Sequence, residues 1–369
     1  MRYDESGVNY DELDPYKRVA QQLAGYTDTN ATRFGFSVVG WSRGESVFLV
    51  ETPWGYLGFV VEGLGTKSTV ADLYRLACKV STANRTYYTN IAQCNVAMAV
   101  NDLITLGVYP VIYNQYAAVG DSAWFQDLSR SQDIAAGTLG ACLTARCVWG
   151  GGETPALSGI IMPQAIDLAG ATVGIITNKD RIINPDHIRD GDVIVLIESS
   201  GIHANGLSMA RRIADKLPKG YLAELPSGRT YGEALLDPTH IYVGLVEDCL
   251  EAGIPIHYAV NITGHGWRKL MRAKQPFTYT VEKLPTQLPI FDFIQANGPV
   301  DDLEAYGTFN MGAGFALYVP SERDALRVLG VASRLGLTAL IAGHISAGER
   351  KVVIKPKGLE FKAETLGVR

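Results

Sequence analysis

Long apolar runs, positive charge and paired cysteines are what this sequence has little of. No apolar stretch in its 369 residues reaches about 18, so no segment reads as a membrane-spanning helix. Met1-Arg2-Tyr3-Asp4-Glu5 lacks the apolar core of a signal peptide, and a cytoplasmic protein is the expectation. The formal net charge is -5. Without a basic footprint the chain is not expected to bind nucleic acid, although backbone dipoles and single lysines can hold a phosphorylated ligand on an acidic protein. The five cysteines, Cys78, Cys94, Cys142, Cys147 and Cys249, are odd in number, and none forms C-x-x-C. Buried free thiols in a reducing cytosol fit that spacing better than disulfides or a zinc site. A G-x-x-x-x-G-K-[ST] string is absent, which excludes a Walker A loop. No period of about 20–50 residues repeats, which excludes a solenoid.

What is present is a hydrophobic content of 47% with 19% charged residues, enough for a sizeable core and, at this length, for two domains. The apolar run Tyr56-Leu57-Gly58-Phe59-Val60-Val61 reads as a buried strand. It delivers Glu62-Gly63-Leu64-Gly65-Thr66-Lys67, which reads two ways. As a polyphosphate site, its glycines admit backbone N–H groups, Lys67 adds charge and Glu62 is placed to hold a metal. The alternative is an ordinary glycine-rich turn.

Similar polar interruptions recur. Asn90 is positioned to cap a helix over residues 91–106, with Gly107 as its stop and Pro110 beyond. That helix is apolar over much of its circumference, yet it carries Asn95, Asn101 and Asp102. A buried carboxylate calls for a metal, a lysine or ligand donors, unless Asp102 lies on a narrow solvated strip. Residues 111–113 read as a strand followed by a loop holding Gln115 and Tyr116, and Ser131 as the cap of a helix to about Arg146. Val148-Trp149-Gly150-Gly151-Gly152-Glu153-Thr154 then repeats the chemistry of the first loop.

Residues 177–191 form a polar connector, where the domain boundary is expected. Beyond it, residues 192–198 read as a strand leading through Ser199-Ser200-Gly201-Ile202-His203-Ala204-Asn205-Gly206 into a helix, a geometry suited to anion capture. His203 can serve there as acid, base or phosphate donor, or merely cap a carbonyl. Asp237-Pro238 reads as the start of a helix to about Gly253, and Asn261-Ile262-Thr263-Gly264-His265-Gly266 as another polar loop before a basic helix. Two α/β halves with glycine-rich turns after their strands result.

Taken together, several strings resemble the aminoimidazole ribonucleotide synthetase family, also called phosphoribosylformylglycinamidine cyclo-ligase. They are Ser199-Ser200-Gly201 through Gly206, Val100-Asn101-Asp102-Leu103, Gly151-Gly152-Glu153-Thr154, Asp167-Leu168-Ala169-Gly170, Ile262-Thr263-Gly264 and Thr308-Phe309-Asn310-Met311-Gly312. Residues 3–11 are similar to that family's N-terminal segment. The resemblance implies an α/β (α+β, PurM-like) fold. An N-terminal ATP-binding and dimerisation domain (residues 1–176) would join strands with a second subunit in a dimeric β-barrel, and a C-terminal PurM-like α/β domain (residues 177–369) would follow. It implies ATP-dependent ring closure of formylglycinamidine ribonucleotide in purine synthesis by a homodimer, with ATP and Mg2+ as cofactors and a small phosphorylated molecule as substrate.

By matching position, the resemblance makes Glu62, Asp102 and Glu153 the metal carboxylates. Gly63, Gly65, Thr66, Lys67, Asn101, Gly152 and Thr154 would lie on the nucleotide, and Ser199, Ser200, Gly201, His203, Asn205, Gly206, Thr263 and Gly264 on the substrate. His203, Lys67 and Asp102 would be catalytic. Three departures bear on the substrate: Glu62 stands for the usual aspartate, Gln115 replaces an aspartate, and Asn261 and His265 alter the family's His-Ile-Thr-Gly-Gly-Gly. Two other readings stand beside this one, the first within the same superfamily and the second from a different class. One is ATP-dependent phosphotransfer to another substrate, as in thiamine-monophosphate kinase; the other is a non-catalytic homologue.

Overall fold

Alternation of buried and open side chains builds the first sheet. In the strand Ile166–Ile176 every second residue is buried, the signature of a strand with one face on a core. The computed structural model describes residues 7, 10–78 and 85–367. Most of the family-like segment over 3–11 and the end of the helix expected near residues 71–80 lie outside the described residues. The N-terminal strands are β1 (Ser37–Val38), β2 (Phe48–Thr52), β3 (Gly55–Gly63), β4 (Tyr109–Val119), β5 (Val148–Glu153) and β6 (Ile166–Ile176), in the order β1-β2-β3-β6-β4-β5. Only β4 and β5 run parallel in this sheet.

Four helices accompany it: α1 (Tyr10–Ala24), α2 (Lys67–Ala77), α3 (Tyr88–Leu103) and α4 (Leu128–Thr144). α3 is the pivot, with 13 of its 16 residues buried. A helix apolar all round must be covered on both sides, and α3 is packed by the sheet and α4 on one side and by the second half of the chain on the other. Three of its polar residues bind that second half's backbone. Asn90 Nδ2 donates to Leu236 O at 2.9 Å and Gln93 Nε2 to Thr239 O at 2.9 Å. Asn101 donates to His240 O and accepts from Tyr242 N, each at 2.8 Å.

The second sheet holds β7 (Val193–Glu198), β8 (Tyr258–Asn261), β9 (Phe277–Val281), β10 (Ala313–Val319), β11 (Ala339–Ala347), β12 (Lys351–Ile354) and β13 (Leu359–Lys362). Its order is β13-β12-β9-β11-β7-β10-β8, antiparallel except for β12 against β9. With it run α5 (Leu207–Lys216), α6 (Tyr231–Leu235), α7 (Val243–Glu251), α8 (Pro289–Asn297), α9 (Asp302–Thr308) and α10 (Glu322–Arg334). β10 is buried along its whole length, flanked by β7 and β8. The last strand of the first sheet ends at Ile176, and the second sheet opens at Val193.

Local expectations fail where tertiary partners compete for the backbone. α3 starts at Tyr88, so Asn90 is inside it and does not cap it. α4 is capped by Asp127, whose carboxylate accepts from Arg130 N at 3.2 Å, while Ser131 lies within the helix. Gln115 and Tyr116 are strand residues of β4, and Gly150–Glu153 form β5 rather than a loop. The helix expected from Asp237-Pro238 begins only at Val243. Its first carbonyls are already taken: Asp237 O by Lys67, Pro238 O by Ser200 Oγ, Thr239 O by Gln93 and His240 O by Asn101.

Candidate active site at the junction of the two halves

A cavity of about 410 Å³ opens where the end of β3, α3 and the loop after β8 meet. Glu62 enters from β3, Met98 and Asp102 from consecutive turns of α3, and Thr263, Gly264 and His265 from the loop. Lys269 and Arg272 come from the short helical turn over Gly266–Met271 and the residue after it; Lys17 of α1, Glu45 and Asn205 complete the polar wall. Three cations therefore face three carboxylates in one partly closed space.

Each charged group in this cavity has a partner. Asp102, only 6% exposed, accepts at Oδ1 from Asn261 Nδ2 at 2.7 Å. Glu62 is half-buried, and its carboxyl is pushed up to about 8. Burial is the main cause and the adjacent Asp102 charge adds to it, while Lys269 and Arg272 pull the other way. At neutral pH Glu62 therefore holds a proton. Lys269 donates to Thr263 Oγ1. Burial lowers its affinity for a proton, an effect that Asp102 and Glu62 oppose. Arg272 pairs with Glu45 at 3.3 Å and donates to Gly44 O at 3.0 Å.

His265 also faces this space, with φ +70°. Its ring is held neutral, pushed down to about 3 by burial and then by Lys269 and Arg268. Gly266 has no room for a side chain, since a Cβ there would lie 2.3 Å from Tyr306 O.

The expected site residues divide. Glu62, Asp102, Asn205, Thr263 and Gly264 come together on the cavity wall. Gly63 and Gly65 follow Glu62 with open surfaces, and Thr66 is half-buried. Lys67 does not join them: it is 0% exposed, and its ammonium donates to His203 O and Asp237 O, each at 2.6 Å. It ties the two halves together. Asn101, expected on the nucleotide, is engaged through both amide atoms with the 240–242 backbone.

Glu153 is also separate. It pairs with Tyr116, which pairs with Ala169, which pairs with Gly63. Three strand spacings, about 14 Å, therefore lie between Glu153 and the end of β3. Gly152, Glu153 and Thr154 are exposed beside it. Among the described residues no group of three or more His, Cys, Asp or Glu is arranged to hold a metal.

The 199–206 loop is built for shape. Ser199 Oγ donates to Asn310 Oδ1 at 2.9 Å, Asn310 Nδ2 donates to Gly201 O at 2.9 Å, and Ser200 Oγ donates to Pro238 O. His203 is 3% exposed with φ +59°, and its Nε2 accepts from Ser200 N at 3.2 Å. Burial, then the nearby His240 and Lys67, hold its ring neutral. Gly206 has φ +77°, and a Cβ there would strike the Phe309 ring at 2.2 Å.

Lys269, Arg272 and Lys17 were not singled out from the sequence. The basic character of the helical turn was visible, but its direction toward Asp102 is a property of the packed halves. Gln115, a departure from the family pattern, donates to Thr138 Oγ1 at 3.2 Å.

Comparison with known proteins agrees with this architecture. Residues 57–176 match the family described as AIR synthase related protein, N-terminal domain, and residues 189–355 match AIR synthase related protein, C-terminal domain. A phosphoribosylformylglycinamidine cyclo-ligase of Methanocaldococcus jannaschii is 36% identical, covering 79% of this chain and 78% of its own. One from Clostridium perfringens is 33% identical, covering 96% of this chain and 100% of its own. The solved structure of AaThiL complexed with AMPPCP and TMP has a TM-score of 0.56 at 16% identity, over 86% of this chain and 90% of that one, a likeness of fold. Two α/β halves in the PurM-like arrangement, matched along nearly their whole length by enzymes a third identical, place the chain in the phosphoribosylformylglycinamidine cyclo-ligase family.

Proposed function

We propose that this chain closes the imidazole ring of aminoimidazole ribonucleotide from formylglycinamidine ribonucleotide at the expense of ATP. In that reaction the γ-phosphoryl group moves to the formyl amide oxygen. The amidine-derived nitrogen then attacks the activated carbon, and phosphate leaves. The products are the imidazole, ADP, phosphate and a proton. The observation that carries the reading is the cavity itself, in which Lys269, Arg272 and Lys17 converge beside Glu62 and Asp102.

Phosphoryl transfer needs positioning and charge neutralisation more than covalent help. Lys269 and Arg272 are the side chains placed to stabilise charge on the phosphate oxygens. Backbone N–H groups of Gly63, Gly65 and Thr66 line the approach. Thr263, Gly264 and Asn205 face the substrate, and the Ser199–Gly206 loop with His203 sets that wall. Glu62, protonated beside Asp102, is the group able to exchange a proton at neutral pH. Magnesium is commonly bound by one or two carboxylates plus substrate phosphates, and Glu62 and Asp102 would be that pair here. Bound, it would neutralise phosphate charge. Fold kinship with a protein complexed with AMPPCP supports nucleotide binding.

A domain boundary near residue 177 and a homodimer belong to the same proposal. Phe59 and Val61 of β3 are 49% and 61% exposed, and the whole of β5 is open at the sheet edge. An apolar sheet face beside an unpaired edge suits pairing with a second copy. Light scattering should report twice the monomer mass; a monomer at micromolar concentration overturns the dimer.

Phosphotransfer to another substrate is the second reading, favoured because His265 puts an imidazole where the family carries glycine and it faces the cavity. The test is ADP release with Mg·ATP and formylglycinamidine ribonucleotide, following the diazotisable amine of the product. Turnover with amine formation is expected. Nucleotide binding by calorimetry without amine moves the assignment to the second reading, and no nucleotide binding leaves a non-catalytic homologue.

A further inference from the structure

α4 ends in a hydrogen-bond pattern that brings two cysteines together. Arg146 N donates to Leu143 O at 3.2 Å, and Cys147 N donates to Cys142 O at 3.0 Å. With Arg146 at φ +55°, this is the Schellman arrangement, in which the residue beyond the left-handed position packs against one in the last helical turn. That contact is usually between two apolar side chains. Here both are cysteines, neither in a disulfide. The Cys147–Cys142 backbone hydrogen bond alone keeps the two Cα atoms within about 7 Å, the reach of a disulfide.

The two thiols lie close enough for each to alter the other's proton affinity. Cys142 is 3% exposed, whereas Cys147 is half-buried. The interaction with Cys142 lowers the proton affinity of Cys147, while the same interaction and burial raise that of Cys142. One thiol is thus the more readily ionised and reachable, and the other sits behind it. Cys94, by contrast, is buried with its Sγ accepting from Thr239 N at 3.2 Å.

We propose that Cys142 and Cys147 form a redox modification site, in which Cys147 attacks a low-molecular-weight disulfide and Cys142 resolves the product. The Cys147 thiolate attacks one sulfur of R–S–S–R, forming a mixed disulfide and releasing RS⁻. Cys142 gives up its proton, and its sulfur attacks the Cys147 sulfur, releasing the second RS⁻. Two protein thiols are oxidised by two electrons, the small disulfide is reduced to two thiols, and the protons go to the departing thiolates. The bond would close over Arg146, which pairs with Glu247 at 3.0 Å and Asp248 at 2.6 Å on α7. The modification therefore falls on a point where the two halves are fastened.

The test uses the folded, full-length chain incubated with oxidised glutathione, then alkylated and digested with trypsin. Cleavage after Arg130, Arg146 and Lys179 separates the two cysteines, so the product appears as peptide 131–146 linked to peptide 147–179. Loss of both alkylation sites in that pair, restored by a reductant, is expected. Cys142→Ser should then trap glutathione on Cys147, and Cys147→Ser should leave Cys142 alkylated only after denaturation. Recovery of both thiols as free under excess oxidised glutathione, or absence of the trapped adduct in Cys142→Ser, overturns the proposal.

Discussion

Asn261, the last residue of β8, donates from Nδ2 to Oδ1 of Asp102 on α3 at 2.7 Å, joining a strand of one half to a helix of the other. Both residues are buried, at 4% and 6% exposure. A carboxylate in that position depends on its donors. Asn261→Leu removes one donor and leaves the acceptor in place, at a cost of about 1–3 kcal/mol. Urea denaturation should show an earlier midpoint with an unchanged slope. An unchanged midpoint would mean that Lys269 alone satisfies Asp102.

The raised proton affinity of Glu62 makes stability depend on pH. Its carboxyl moves from an ordinary 4.5 to about 8 in the folded chain. Between those values the folded state holds a proton that the unfolded state has lost. Stability is therefore greatest below the unfolded value and falls as pH rises through the folded one, with a limiting slope of about 1.4 kcal/mol per pH unit. Glu62→Gln removes that dependence. The melting temperature of the parent should drop more between about pH 5.5 and pH 8.5 than that of the variant. Equal drops in the two proteins would place the proton elsewhere in the pair.

Lys67 separates a structural from a phosphate-binding role. Its ammonium donates to both His203 O and Asp237 O. Lys67→Met keeps most of the side chain's apolar stem, ends in a methyl group and strands both carbonyls, each costing about 1–3 kcal/mol. A large fall in stability is expected, with AMPPCP affinity of the folded fraction little changed. The reverse pattern, tenfold weaker nucleotide binding at unchanged stability, would return Lys67 to the phosphates.

What could be read ahead of the structure follows from how local each signal is. β7 and α5 came from patterns contained in a few residues. The apolar circumference of α3 offered burial of Asp102 as one of two readings, and the structure buries it. The fate of the 237–242 segment did not follow, because its proline signal was overridden by donors over 100 residues away: Asn101 and Gln93 on α3 and Lys67 at the start of α2. For the same reason a glycine-rich string at residues 150–153 proved to be strand: pairing with β4 decided it. Motif residues told which loops matter, whereas the cations that face Asp102 were set by packing.

Lys269 is where the functional reading is most exposed to test. It sits between Thr263 and the Glu62–Asp102 pair, half-buried, with Arg272 three residues on. A cation in a site shielded from water acts more strongly on developing phosphate charge than one at the surface. Removing such a group commonly lowers turnover by about 10²–10³-fold. Lys269→Ala should therefore reduce kcat/KM for ADP release on that scale and weaken AMPPCP binding. It should also deepen the loss of stability above neutral pH, because the charge that restrains Glu62 protonation is gone. Lys269→Arg should recover part of the binding through charge alone. Activity within about threefold of the parent in Lys269→Ala, with the pH effect still present, would show that this lysine balances the carboxylates without touching the phosphates.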